Sequence, residues 1–223
     1  AIVRKGGLAL KVYETLEEIR ALKDQWDTLL KRSRVESVFM SYEWIVSWLE
    51  TYGKNKEIMV LAAYKKDQLI GLCPLFIQKK KFIFWKVKTI DFAGSPRTDR
   101  ADFIIEKNKE EVFEMFWDYL WEQRRRWTVI RLKEIPASSF NLTVLGNLLR
   151  SRRIKHIFRT CSRAPYIILN QHWDEYLGSR SKKFRNRMRS DRRKILRAGE
   201  VEFKRIIPDQ RCWETIFDIN CRS

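Results

Sequence analysis

Between Ser179 and Arg197 the chain carries ten lysines and arginines against a single aspartate, Asp191. Half of the chain's net charge of +18 is therefore gathered into nineteen residues. Cations at that density favour an anionic partner: a nucleic acid, a phosphate-rich cofactor, an anionic glycan or a membrane surface. Arg180, Lys183, Arg185, Arg187, Arg189 and Arg193 are the candidate contacts, arginine being suited to bidentate phosphate binding. Phe184, Met188 and Ile195 run through the same stretch as a narrow apolar stripe. The pattern reads equally well as a solvated connecting helix whose charge is balanced by acidic neighbours.

Proton transfer needs a carboxylate or an imidazole within hydrogen-bond reach of the reacting group. Glu43, Asp99 and Asp102 are the candidates, and spacing alone singles out none of them. The turn Asp99-Arg100-Ala101-Asp102 either lines a substrate cleft or closes on itself as a salt bridge. Trp44 and Trp48 have the ring area to stack on a sugar face, although their spacing on an amphipathic helix also suits the core. The cysteines Cys73, Cys161, Cys212 and Cys221 form no C-x-x-C pair, and with only His156 and His172 beside them no zinc-ligand spacing exists. Cys73 stands in an apolar run and reads as a small buried hydrophobe. No metal is expected.

The elements that must position these groups follow from periodicity. With 44% hydrophobic residues and nine tryptophans the 223-residue chain can pack a core, so a disordered chain is excluded. The longest apolar run, Leu69 to Ile77, is too short to cross a membrane, and residues 1–7 do not resemble a signal peptide. A cytoplasmic location is expected. Lys11 to Tyr13 reads as a strand, and Thr15-Leu-Glu-Glu18 as a capping box opening a helix to about Lys31. Ser41 caps a second helix that ends at Gly53. Ile58–Tyr64 and Leu69–Ile77 form a hairpin, with further strands at Phe82–Phe92 and Ala101–Ile105 around a turn at Gly94–Thr98. A helix over Lys109–Arg124, a strand over Trp127–Ile135 and a helix over Ser138–Arg150 follow. Two strands, Ile154–Thr160 and Tyr166–Leu169, close the first domain at about residue 170. Beyond it come a helical turn at Trp173, the basic helix ended by Gly199, a strand at Val201–Ile207 and a helix opened by Asp209. The pattern stops unfinished at Ser223, so the fold is expected to continue for on the order of 100–180 residues.

Several local strings form an ordered set: Trp26-Asp-Thr-Leu29, Val38-Phe-Met-Ser-Tyr-Glu-Trp44 and Ile70-Gly-Leu-Cys-Pro-Leu75, then Trp173-Asp-Glu-Tyr-Leu177, Ser181-Lys-Lys-Phe-Arg185 and Arg189 to Gly199. From about Trp26 to Phe203 the chain resembles the CelD-type acetyltransferases, a GNAT family associated with cellulose and other exopolysaccharide synthesis. The resemblance implies an α/β fold with a GNAT-like mixed, mostly antiparallel sheet flanked by helices. It also implies a doubled architecture like that of the Fem-type aminoacyltransferases. Residues 1–170 would be a first GNAT-like domain, and 171–223 a connecting basic helix with the start of a second half.

The same resemblance implies acetyl-CoA as donor and an amine or hydroxyl acceptor, a sugar- or amino-sugar-related one being among the candidates. A GNAT enzyme cradles the CoA pyrophosphate on glycine-containing backbone at a helix N-terminus, where the dipole favours anions. The matching point here, Glu106-Lys-Asn-Lys-Glu-Glu111, has no glycine and three glutamates. Acetyl-CoA is accordingly expected mainly in the second half, and this stretch alone is expected to be inactive. The rival expectations are aminoacyl transfer from tRNA in the Fem manner, a nucleic-acid or polyanion module, and a non-catalytic scaffold of polysaccharide assembly.

Overall fold

The computed structural model describes residues 2–82, 85–163, 165, 167, 172–202, 205, 207 and 209–222. They fall into two compact units, Ala1–Arg163 and Ala164–Ser223.

The first unit is a mixed α/β layer built on a seven-stranded sheet with the path β1-β2-β3-β4-β5-β7 and β6 set beside β4. Strands β1 (Ile2–Lys5) and β2 (Leu8–Tyr13) pair antiparallel through Gly6-Gly7, two glycines with positive φ. Helices α1 (Leu16–Arg20) and α2 (Lys23–Ser33) replace the single helix expected over this stretch. The capping box forms as its residues dictate: Thr15 Oγ1 accepts from the Glu18 amide, and Glu18 accepts from the Thr15 amide. The break falls at Ala21-Leu22, where Leu22 turns inward and is 2% exposed. Helix α3 (Tyr42–Tyr52) begins at Ser41, whose hydroxyl accepts from the Trp44 amide.

Strands β3 (Glu57–Lys65) and β4 (Gln68–Phe82) form the expected hairpin, its turn made by Lys66 and Asp67 at positive φ. β4 is the spine. Its second half pairs with β5 (Trp85–Phe92), while Gly71 and Leu72 pair with the two-residue β6 (Ile104–Ile105). Between β5 and β6 the chain leaves the sheet over residues 93–103, which shortens the expected strand at Ala101–Ile105 to its last two residues. Pro74 sits at the point of departure. Its carbonyl accepts from the Ala93 amide, so its missing N–H faces the side where the partner strand swings away. That is why a proline is tolerated in a central strand.

Helix α4 (Lys109–Glu122) crosses over to β7 (Val129–Ile130), which runs parallel to β5 through Thr89↔Val129 and Ile90↔Ile130. The longer strand expected over Trp127–Ile135 stops at two residues because β5 itself ends at Phe92. Helix α5 (Phe140–Ser151) starts from Ser139, whose hydroxyl accepts from the Asn141 amide. Residues 154–160 form no strand, contrary to expectation. The sheet ends at the short β7 and offers them no ladder, and Ile157 is 87% exposed. The core lies between the sheet and its helices, with Trp26, Phe76, Phe92 and Phe113 among its fully buried side chains.

The second unit contains α6 (Trp173–Ser179), α7 (Lys182–Ala198) and α8 (Gln210–Arg222). Ser181 caps α7 through the Phe184 amide and Gly199 ends it. Of the expected strand Val201–Ile207, residues 201, 202, 205 and 207 are not in a strand and the others lie outside the described residues. Of Tyr166–Leu169 only Ile167 is described, and it too is outside any strand. Among the described residues no helix is long and apolar enough to cross a membrane.

Candidate functional site

The excursion over residues 93–103 carries the candidate residues Asp99, Arg100 and Asp102, and the structure treats them differently. Asp99 and Arg100 are exposed; Asp102 is 7% exposed. The segment is pinned at three points: Ser37 Oγ donates to the Arg100 carbonyl at 2.6 Å, the Ala101 amide donates to the Glu134 carbonyl, and the Asp102 amide contacts Met40 Sδ. Asp102 does not pair with Arg100. Its Oδ2 accepts from Ser139 Oγ at 2.6 Å, and its Oδ1 accepts from Asn141 Nδ2 at 3.1 Å and from the Phe103 amide at 2.7 Å.

Asn141, 3% exposed, extends this network. Its Nδ2 also donates to the Phe103 carbonyl, and its Oδ1 accepts from Lys109 Nζ at 2.8 Å. Lys109 donates in turn to the Ile105 carbonyl at 2.7 Å. The chain Asp102–Asn141–Lys109 thus ties the excursion, β6 and the first turns of α4 and α5 into one buried polar knot. Burial pushes the Asp102 carboxyl above the ordinary carboxylate range, opposed by its hydrogen bonds and by Lys109. Burial also pulls the Lys109 amine down, with Asp102 working against the fall.

This sets a sign for pH dependence. A carboxyl whose folded pKa is raised stabilises the fold below the ordinary value of about 4, and that contribution is lost as pH rises through the raised value. Unfolding free energy measured against pH should therefore decline over that window in the native chain, and the decline should flatten in Asp102→Asn. Parallel curves for the two proteins would show that Asp102 is not the group responsible.

The knot occupies the entrance to α4, the point at which the sequence resemblance leads one to expect a pyrophosphate cradle. Asn108 takes the N-cap position with φ 52° and gives the helix no side-chain cap; its side chain donates to Glu111 instead, and Glu110 and Glu111 stand in the first turn. The acidic residues thus lie at the helix start without capping its amides. Lys109 folds back onto this chain's own carbonyl and amide oxygens.

A second buried carboxylate was not singled out by the sequence. Asp91, fully buried on β5, accepts from Gln78 Nε2 at 2.9 Å, Thr89 Oγ1 at 2.8 Å and Arg131 Nε at 2.8 Å. Arg131 Nη2 lies 2.7 Å from the same carboxylate. A lone aspartate near the end of an alternating strand, with an arginine just past the next one, was the only available signal. Beside Gln78 a depression of about 300 Å³ is lined by Asn55, Lys56, Glu57, Ile77 and Lys79. Both oxygens of Asp91 and of Asp102 are taken by donors, so each carboxylate acts as a clamp in this arrangement.

The remaining candidates are dispersed. Glu43 is exposed and ion-paired with Lys23, which holds its carboxyl below the ordinary range. Trp44 is half-buried with Nε1 near Thr98 Oγ1, and Trp48 is buried against Phe76. Cys73 is buried, and burial raises its thiol. Among the described residues no group of three or more His, Cys, Asp or Glu could hold a metal. In the second unit Lys183, Arg185, Arg187, Arg189 and Arg193 all lie on α7, where no residue is buried, while Arg180 caps α6.

No protein-family model matches the chain, and no curated protein matches it. Among solved structures it is similar to an aminoglycoside N-acetyltransferase in complex with CoA, at 8% identity and a TM-score of 0.44, over 74% of this chain and 98% of that one. A ribosomal-protein-alanine N-acetyltransferase from Brucella melitensis biovar Abortus 2308 aligns at 9% identity and a TM-score of 0.42, over 71% of this chain and 99% of that one. A probable acetyltransferase aligns at 15% identity and a TM-score of 0.42, over 71% and 97%.

Proposed function

We propose that the chain is part of a GNAT-type acyltransferase of the CelD kind, acting on an amine or hydroxyl acceptor in envelope or exopolysaccharide synthesis. The first unit would supply architecture rather than the donor site. The order of elements supports this: an antiparallel run from β1 to β5, then a crossover helix and a parallel β5–β7 pair. One observation carries the assignment of roles. The entrance to α4 is filled by the Asp102–Asn141–Lys109 knot and bordered by Glu110 and Glu111. A pyrophosphate needs open backbone amides there, and this chain supplies none through glycine.

Acetyl-CoA would be held mainly by sequence outside residues 1–170, and residues 171–223 would lead into that second half. The test is thermal denaturation of the 223-residue chain with and without millimolar acetyl-CoA. No stabilisation is expected, because a ligand raises the melting temperature only through binding the native state. A shift of several degrees that disappears on an Asn141→Leu background would place the donor at α4 after all. A longer chain carrying a second half should be stabilised by the same ligand; absence of stabilisation there refutes the acetyl-CoA reading.

A further inference from the structure

Four arginines on α7 stand at strict i, i+4 spacing: Arg185, Arg189, Arg193 and Arg197. On a helix that spacing makes one slanting row, each step about 6 Å along the axis and the whole row about 18 Å, winding about a third of the way round the helix. Like charges at i, i+4 destabilise a helix, and the sequence nevertheless repeats them through the whole element. The only acid on α7, Asp191, lies off the row, 3.7 Å from Arg187 and 3.9 Å from Lys194. The row is therefore left without an acid on its own helix.

A second feature stands in the same unit. Arg185 Nη1 donates to the Gly178 carbonyl at 3.1 Å and also to that of Arg180, which fastens the start of α7 to the end of α6. On α6, Trp173 is 57% exposed and stacked on Tyr176, with ring centroids 5.7 Å apart and planes 25° apart. Arg180 covers the Tyr176 ring at 4.7 Å. An exposed, stacked indole on the helix to which the arginine row is fastened combines the two devices that grip a single strand: base stacking and backbone charge.

We propose that α6 and α7 form a binding face for single-stranded nucleic acid, with phosphates on the Arg185–Arg189–Arg193–Arg197 row and a base stacked on Trp173. The face fits a bilayer poorly. The apolar stripe of α7 is narrow, Phe184, Met188 and Ile195, with Leu196 off it among the arginines and Asp191 between Met188 and Ile195 on the stripe itself, where an acid opposes an anionic surface. This inference does not rest on the acyl-transfer reading, whose supporting observations lie in the first unit.

The test is fluorescence anisotropy of the 223-residue chain with a labelled single-stranded 20-mer, titrated from about 50 to about 200 mM salt. Four phosphate contacts predict a loss of affinity of about 50-fold across that range, a log–log slope near −3. Arg189→Gln/Arg193→Gln/Arg197→Gln should bring the slope to about −1. Trp173→Ala should weaken binding about tenfold or more at unchanged slope, and Trp173→Phe should restore part of it. The charge-matched control Lys54→Gln/Lys66→Gln/Lys86→Gln, far from the row in sequence, should retain the native slope. Circular dichroism checks that the variants keep their helices. Equal loss in the control means net charge alone binds the strand and overturns the proposal. So does tighter binding to phosphatidylglycerol vesicles than to the oligonucleotide, or binding that Trp173→Ala leaves unchanged.

Discussion

Replacing Trp26 with alanine should lower the unfolding free energy of the first unit by about 3–5 kcal/mol. The side chain has no exposed area, and its Nε1 donates to the Met40 carbonyl at 2.9 Å. It meets Tyr42 edge-on at 6.1 Å, so the ring links α2 to the chain entering α3. Removal leaves a cavity and an unpaired carbonyl together. At about 2–4 °C per kcal/mol for a unit of this size, the melting temperature should fall by roughly 10 °C. Trp26→Phe separates the contributions: it keeps most of the volume, loses the hydrogen bond and should cost about 1–2 kcal/mol. If denaturant titration shows Trp26→Ala within 1 kcal/mol of the native chain, the indole does not anchor these helices.

The clamp around Asp91 predicts a comparable loss from Arg131→Met. The carboxylate is wholly buried while the arginine is 35% exposed, so the substitution strips the cation in direct contact from a charge that cannot reach water. Removing one partner of a buried pair costs about 3–5 kcal/mol when nothing else compensates. Gln78 and Thr89 still donate to Asp91, so the expected value is at the lower end, about 2–3 kcal/mol. The diagnostic is the double variant. In Asp91→Asn/Arg131→Met no unpaired charge remains, and the pair should lose less than the sum of the singles. Additive losses in chemical denaturation would mean that the charge itself is not what Arg131 compensates.

Local signals carried much of the fold. The capping box at Thr15, the Ser41 cap, the Lys66-Asp67 turn and the basic helix all form from short stretches whose own chemistry determines them. What the sequence hid depends on partners far along the chain. The strands expected at Ala101–Ile105 and Trp127–Ile135 are long as patterns but short as structure: the first meets β4 only at Gly71–Leu72, because β5 already takes that flank from Leu75 on, and the second pairs with a β5 that ends at Phe92. Ile154–Thr160 has strand-like composition and no neighbouring ladder. The site was hidden for the same reason. Asp102 was visible as a carboxylate in a turn, but Ser139 and Asn141 come from 37 and 39 residues away. Nothing in the spacing of Lys109 indicates that its amine turns back to Ile105. By contrast, the arginine row is a property of one helix and can be read without any partner.

Strand β4 is laddered on both flanks at Gly71–Leu72 and again at Leu75–Ile77, while its outer end touches β5 alone. Amide hydrogens in those stretches donate to a neighbour on one flank or the other inside the sheet rather than at its edge, so they should exchange at close to the rate of global opening. The amides from Gln78 to Lys81 should open earlier, by local fraying. The same strand thus grades from the most persistent part of the molecule to a loosely held tip, and Pro74, which has no amide hydrogen, stands between its two doubly laddered stretches.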